Sequence, residues 1–161
     1  MRHAESDYPP GVESDYERTL SERGQSDLPR MAALLRRCET MPEYVLSSSA
    51  RRARQTAAGL VEYLDLSPDV LQLEDALYLA SPSTLLAHIQ RVPDHVETLL
   101  VVAHNPGMEE LICLLSGARV ALPSAGLASI AIGVSQWSAI APAHGRLSYF
   151  VTPRIAQRLS S

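Results

Sequence analysis

The segment VETLLVVAHN, residues 96–105, does most to limit what this chain can become. Its apolar stretch is continuous rather than alternating, the pattern of a strand covered on both faces. Such a strand needs a helical layer above and another below, and the flanking sequence offers both. LSERGQSDLPRMAALLRRC sets Leu28, Met31, Leu34 and Leu35 on one helical face, with Ser21 as N-cap and Pro29 required to lie near the first turns or to bend the helix. EYVLSS reads as a short buried strand, and SARRARQTAAGLVEYL as a helix capped from among Ser47 to Ser49. DVLQLE is a further strand, SPSTLLAHIQRV a helix with Pro82 near its start, and NPGMEELICLLSG a helix that Gly117 stops. AGLASIAIGV and RLSYFVT read as closing strands, whereas residues 5–19, with Pro-Pro-Gly at their centre, read as a loop. Strands alternating with helices predict an α/β fold: a three-layer α/β/α sandwich on a mostly parallel central sheet.

The 161 residues fit one domain, residues 1–161, with no repeat or low-complexity linker. A net charge of -4 leaves no basic footprint for nucleic acid or an anionic membrane, so any anion must be held by local positive charge. No apolar run approaches the roughly 18 to 20 residues that span a bilayer, and the N-terminus lacks the apolar core of a signal peptide. Cys38 and Cys113 lie in apolar stretches without metal-ligand spacing and read as buried free thiols, which points to a reducing, cytoplasmic setting.

In sheets of this kind ligands bind at the carboxyl ends of the strands. Three segments place Arg or His there: RHAES, LSSSARRARQT and VVAHNPG. A phosphoryl group carries two negative charges, and the planar fork of arginine suits it better than the point charge of lysine. Helix N-termini near Arg52 and Asn105 would add N–H donors. A neutral imidazole is a competent nucleophile near neutral pH, so one histidine could attack phosphorus while the other holds developing negative charge. Each segment alone is more often structural; their shared placement at strand ends is what carries the argument.

The wording of the three segments resembles the signatures of the histidine phosphatase, or phosphoglycerate-mutase-like, superfamily. YERTLSERG, ALYLASPSTLL and the closing LPSAGLASIAI, WSAI and GRLSYFVTP most resemble its small bacterial phosphohistidine phosphatases of the SixA type. The resemblance spans nearly the whole chain. It implies that His3 is the nucleophile that becomes phosphorylated, that Arg2 and Arg52 bind the phosphate, and that His104 stabilises the pentavalent transition state. Water would then release inorganic phosphate, with no metal or cofactor. Arg52 rather than Arg51 or Arg54 matches the family's pattern, and the other two are expected to face solvent. Arg18 and, more weakly, Ser6 are candidates for substrate binding, while His88, His95 and His144 match no motif and are assigned surface or structural places.

One departure bears on substrate. Related phosphomonoesterases carry an acid after Leu-Tyr, where this chain has Leu79, which leaves Glu74, Asp75 or Glu5 as the available carboxyl groups. An alkoxide leaving group needs a proton donor, whereas the imidazole of phosphohistidine takes up its own proton near neutral pH. The expected substrate is therefore a phosphohistidine-bearing protein in signalling; the alternatives are a small-molecule phosphomonoester and a phosphate-binding module without turnover. The lack of long insertions that could form a closing cap suits a protein substrate.

A last expectation concerns position. The family's Arg-His pair ends a central strand, and a strand usually needs about five or six residues. Only Met1, Arg2 and His3 stand in that place. The first strand is therefore expected to be largely absent from this chain, either through a missing upstream segment, the favoured reading, or because a stub suffices. On a stub, the α-amino group would add positive charge beside the pocket.

Overall fold

The computed structural model describes residues 1–159. Its first three residues run beside the later strand that contains Val101, in a single parallel bridge between Arg2 and Ala103. The segment of residues 5–19 is not wholly a loop. It contains a two-residue strand, β1 (Ser6–Asp7), paired antiparallel with β2 (Thr19–Leu20), and one 3-10 turn at Asp15–Glu17. Helix α1 (Glu22–Arg37) then begins as its sequence predicts, with Ser21 Oγ accepting from the Gly24 N–H at 3.0 Å. Gly24 is required for packing: a Cβ there would meet the Glu5 carbonyl oxygen at 2.1 Å. Pro29 lies in the interior of α1 rather than near its start.

Strand β3 (Tyr44–Ser48) is central, paired in parallel with β4 (Leu71–Glu74) on one side and β5 (Leu99–Val102) on the other. Helix α2 (Arg51–Tyr63) follows β3 after a two-residue turn. Its N-cap is Ala50, not one of the serines, and no side chain caps it. The serines have other partners. Ser48 Oγ accepts from the Ala50 N–H at 3.3 Å and contacts His104, while Ser49 Oγ bonds Asp75 and Tyr16. Helices α3 (Pro82–Ile89), capped by Ser81, and α4 (Gly107–Ser116), stopped by Gly117 at φ 73°, match their sequence signals. Strands β6 (Leu127–Ile132) and β7 (Gly145–Val151) form an antiparallel pair with a bulge after Ser129, and α5 (Pro153–Leu159) closes the described chain.

Alternation along β3 sends Val45 to one face of the sheet and Leu46 to the other. Val45 joins a core with Leu28, Met31, Leu60 and Ala156, covered by α1, α2 and α5. Leu46 joins Leu85, Ile89, Leu111 and Ile112 beneath α3 and α4. Each fully buried leucine contributes roughly 1.5–3 kcal/mol of transfer free energy. These are the three expected layers. No helix among the described residues is long and apolar enough to cross a membrane.

The N-terminal stub is bonded on both edges. Its inner edge pairs with β5 and the residue beyond it: His3 N–H donates to Ala103 O at 3.1 Å, and Ala103 N–H to Met1 O at 3.3 Å. Its outer edge meets the approach to β6: Arg2 N–H donates to Gly126 O at 3.1 Å, and Ala125 N–H to His3 O at 3.0 Å. Upstream of Met1 an apolar cavity of about 680 Å³ opens between β5 and β6, lined by Leu100, Val101, Ile112, Leu127 and Ile130 among others. The Met1 amine lies at this end and donates to Val101 O at 2.8 Å. Burial pushes it down to about 5, so it is uncharged near neutral pH, and it does not line the cleft that holds His3. The expectation that it adds charge to the pocket is corrected on both counts. The cysteines are free as expected, but Cys38 is exposed and Cys113 half-buried, because neither falls on the apolar face of its helix.

Candidate active site

The carboxyl ends of β3, β5 and the stub converge on one cleft of about 440 Å³, and each delivers the residue that follows it. The stub delivers Arg2 and His3, β3 leads through Ser48 to Arg52 in the first turn of α2, and β5 leads to His104 and Asn105. The loop between β1 and β2 supplies the outer wall with Asp15 and Arg18.

His3 is 7% exposed. Its Nδ1 lies 2.7 Å from Ala4 O, which can only accept, so Nδ1 carries the proton and Nε2 keeps its lone pair. The Ala4 N–H in turn donates to Thr56 Oγ1 at 3.0 Å, which ties this turn to α2. Arg52 Nε donates to His3 Nε2 at 3.2 Å, and Arg52 Nη2 lies 3.2 Å from His104 Nδ1. Arginine is only a donor, so His104 Nδ1 accepts and its Nε2–H points to Ser48 Oγ at 2.9 Å. The two imidazoles stand 5.1 Å apart.

Burial is the main reason both imidazoles stay neutral. It pushes His3 down to about 4, with the Arg52, Arg2 and Arg18 charges adding to the shift against the Ala4 carbonyl. Burial likewise takes His104 down to about 3, helped by His3 and Arg52 and opposed by Asp15. His3 therefore keeps Nε2 unprotonated at neutral pH, its lone pair accepting only from Arg52 Nε, with the ring held in one tautomer by Ala4 O.

Arg52, 3% exposed, organises the cleft. Its Nη1 donates to Asp15 O and its Nη2 to Asp15 Oδ2 at 2.9 Å. The edge formed by Nε and Nη2 faces the two imidazoles. Asp15 is also bonded by Arg18 Nη1 at 3.1 Å and by Tyr78 OH at 2.7 Å. Burial raises the Asp15 carboxyl, but the hydrogen bonds from Tyr78 and Arg18 and the Arg52 charge outweigh it and hold the group well below the usual carboxylate range. Arg2 donates through Nη1 to Leu122 O at 3.2 Å; Asn105 Nδ2 donates to the same carbonyl at 2.9 Å and to Glu109 Oε1 at 2.8 Å.

Four buried side-chain atoms among the described residues lack a partner: Arg2 Nε, Ser6 Oγ, Arg18 Nε and Asn105 Oδ1. All four belong to residues of this cleft. Unpaired buried polar atoms are costly, so their gathering at one place marks the cleft as suited to hold a polar group. Three of the four can donate, two of them from cationic groups, and that chemistry fits an anion.

All six residues singled out in the sequence, Arg2, His3, Ser6, Arg18, Arg52 and His104, line the cleft. Arg54 is exposed, as expected for a solvent-facing residue, and Arg51 is half-buried; His88, His95 and His144 lie away from the cleft. Of the three carboxyl groups weighed, Glu5 lines the cleft but contacts Ser21 Oγ and Arg23, while Glu74 and Asp75 do not line it. Exposed Leu79 does line it, in a left-handed conformation at φ 49°. Sequence reasoning missed Asp15, Tyr78, Ser48 and Asn105 as parts of the site. For Asp15 a signal existed in DYER, where the acid stands three residues before Arg18. No group of three or more metal-ligating side chains occurs among the described residues.

Residues 1–76 match the model of the histidine phosphatase superfamily, branch 1. An uncharacterized protein of Mycobacterium tuberculosis is 34% identical over 165 residues, covering 96% of this chain and all of the relative. Among solved structures, SixA from Nakamurella multipartitia superposes with a TM-score of 0.82 at 25% identity, covering 95% of this chain and 93% of its own. SixA from Agrobacterium tumefaciens gives 0.77 at 26% identity, covering 95% of both chains. The fold, the paired imidazoles and the arginine between them agree with these likenesses: the chain belongs to the histidine phosphatase superfamily and is a SixA-like, metal-independent phosphatase.

Proposed function

We propose that this phosphatase removes the phosphoryl group from phosphohistidine on a protein, with His3 as the nucleophile, in a signalling role and a cytoplasmic setting. His3 Nε2 attacks phosphorus, and the bond from phosphorus to the substrate imidazole breaks. Its electron pair returns to the leaving nitrogen, while the other nitrogen of that ring carries a proton. The phosphorylated His3 keeps its Nδ1–H on Ala4 O, which supports the cationic ring it has become. Water then attacks phosphorus, the bond to Nε2 breaks with its electron pair returning to His3, and both water protons leave with the dihydrogen phosphate ion.

Arg2 and the Nε and Nη2 edge of Arg52 bind the phosphoryl oxygens, and Arg18 and Ser6 add donors from the outer wall. His104 takes a proton from solvent on Nδ1 when the dianion arrives, exchanging the Arg52 Nη2–H it accepts for a phosphoryl oxygen to which it donates, and so holds the charge that develops in the transition state. The observation that carries the choice of substrate is the state of Asp15. This rim carboxyl is held ionised by Tyr78, Arg18 and Arg52, so it accepts protons' hydrogen bonds rather than donating one. Asp15 offers an alkoxide no proton and Glu5, the other carboxyl of the cleft, is turned to Ser21 Oγ and Arg23, whereas an imidazole already protonated on its far nitrogen has no need of an acid. The SixA proteins, phosphohistidine phosphatases by name, support the same reading.

The test compares wild type with His3→Ala on a phosphohistidine peptide and on an aryl phosphate. Wild type is expected to prefer the peptide, to trap acid-labile phosphate on His3, and to lose roughly a thousandfold or more in turnover on substitution. Turnover of the aryl phosphate alone would instead indicate a small-molecule phosphomonoesterase. Phosphate binding without any turnover would indicate a binding module.

A further inference from the structure

Two carboxylates interrupt the cationic lining of the cleft: Glu5, which is turned to Ser21 Oγ and Arg23, and Asp15. Arg2, Arg18 and Arg52 surround His3, yet the Asp15 carboxylate shares Arg52 with the nucleophile: Nε serves His3 and Nη2 serves Asp15 Oδ2. Asp15 therefore stands one guanidinium width from the attacking nitrogen. It is on the solvent side, with its side chain 37% exposed. A fixed anion in a phosphate site repels the substrate's own charge unless it recognises something positive beside the phosphoryl group. Phosphohistidine has that feature, because the ring nitrogen remote from phosphorus is protonated in the reactive form. A phosphomonoester has no counterpart.

Resting on the substrate reading above, we infer that Asp15 is the specificity-determining residue, accepting the far N–H of the substrate imidazolium and selecting a cationic leaving group over an alkoxide. The surroundings fit this part. Arg18 Nη1 and Tyr8 OH approach Oδ1 from the same loop, while Arg52 from α2 and Tyr78 from the segment after β4 bond Oδ2. Tyr8 is 57% exposed, and its contact with Oδ1 is long, at 3.4 Å. It can yield that oxygen to a substrate arriving from solvent without disturbing Arg52. The Asp15 carboxylate thus keeps one oxygen for holding the cleft together and offers the other to the leaving group.

During P–N cleavage the carboxylate gives up no proton. It stabilises the imidazolium before the bond breaks and keeps the far proton in place as the near nitrogen receives the electron pair. This raises the titration point of the bound substrate ring, because an opposite charge favours the protonated form.

The experiment measures kcat and kcat/KM for wild type, Asp15→Asn and Asp15→Glu on the phosphohistidine peptide and on an aryl phosphate across pH. Asp15→Asn is expected to lower kcat/KM on the peptide by about 10 to 100-fold more than on the aryl phosphate, the loss common to both substrates measuring the support that Asp15 gives Arg52. It should also move the alkaline limb of kcat on the peptide down by about one pH unit, since that limb reports the ring bound to the enzyme. Asp15→Glu should restore part of both effects. If both substrates change by one common factor and the limb stays in place, Asp15 merely holds Arg52 and the inference is overturned. Wild-type inactivity on the peptide would overturn the substrate reading and this inference together.

Discussion

The two ends of the N-terminal stub differ more than any other neighbouring regions of the molecule. At its carboxyl end the backbone of Arg2 and His3 is bonded by Ala103, Gly126 and Ala125 and the His3 ring by Arg52, within a cleft whose residues carry four buried polar atoms without a partner. At its amino end Met1 borders an apolar cavity of about 680 Å³ lined by residues of β5 and β6, which are not paired with each other among the described residues. The first end is limited by chemistry and the second by packing. Backbone bonds on both edges of residues 1–3 position Arg2 and His3, whereas filling a core requires volume. Changes at the first end should therefore move turnover with little effect on stability, and changes at the second the reverse.

The sharpest way to break that division is Arg52→Lys. Lysine keeps the charge but cannot bond His3, His104 and Asp15 together from one planar group. We expect kcat/KM to fall roughly 100 to 1000-fold, with the thermal midpoint shifted by only a few degrees. A collapse in stability of the size seen for core truncations, about 2–5 kcal/mol, would show that the cleft is a structural clamp as much as a reactive one.

Acid sharpens the comparison from the same side. His3 and His104, at about 4 and about 3 when folded, both lie below their ordinary value of 6.5. Above pH 6.5 they are neutral in folded and unfolded chains alike, and their contribution to pH dependence is nil. As pH falls below 6.5 only the unfolded chain takes up the protons, so stability drops by up to about 1.4 kcal/mol per pH unit for each imidazole. The loss levels off once the pH is below the folded values. Denaturant titrations between pH 7 and 4 should show this slope, and His104→Asn should remove its own share. A slope unchanged by that substitution would mean that the imidazoles are not the groups responsible.

The amino end is tested by addition. Appending about five apolar β-branched residues ahead of Met1 would carry the stub along β5, whose Leu99, Leu100 and Val101 line the cavity, and fill the space between β5 and β6. It would also replace an amine pushed down to about 5 by an ordinary peptide N–H, which removes the stability loss expected between pH 8 and 5 when only the unfolded amine is charged. A gain of about 2 kcal/mol in denaturant unfolding is expected, with kcat unchanged within about twofold. A matching extension of Gly and Asp should give no gain. If the apolar extension raised kcat severalfold instead, the division between positioning and packing would fail.

The same division explains what could be read in the sequence. The strands β3 and β5 and the helices that cover them were legible because continuous apolar runs constrain the fold locally; Arg2, His3, Arg52 and His104 were found from Arg and His at strand ends, whereas the choice of Arg52 over its neighbours and the candidacy of Arg18 and Ser6 came from the resemblance to the superfamily. The cap of α2 was not: Ser48 and Ser49 are good local caps, but His104 and Asp75 compete for their hydroxyls from distant parts of the chain. The hairpin of β1 and β2 hid in a Pro-Gly segment because two-residue strands have no period to detect. Tyr78 carries no local signal that distinguishes it from a surface residue, and DYER ties Asp15 only to Arg18; folding brings Asp15 and Tyr78 2.7 Å apart beside Arg52. Cys38 lay in an apolar stretch, yet the end of α1 turns it to solvent.

The smallest effect expected is that of Ser48→Ala, and it separates positioning within the cleft from binding to it. Ser48 Oγ accepts the Nε2–H of His104 at 2.9 Å and so keeps Nδ1 as the atom that faces Arg52. Without the hydroxyl, that Nε2–H loses its acceptor in a buried place, a loss of about 1 kcal/mol in stability. The larger consequence is for the charged form. A ring that must carry a second proton while it holds the phosphoryl oxygens is stabilised by an acceptor on its far side, so removing Ser48 makes that proton harder to hold. Turnover should fall by about three to tenfold, and the affinity for a tetrahedral or pentavalent oxyanion such as vanadate should fall with it. Oxyanion binding should also take up a proton near neutral pH in wild type, measured by calorimetry in buffers of different ionisation enthalpy, and take up less in Ser48→Ala. Equal uptake in the two proteins would mean that His104 stays neutral throughout and that Arg2 and Arg52 alone carry the charge of the bound group.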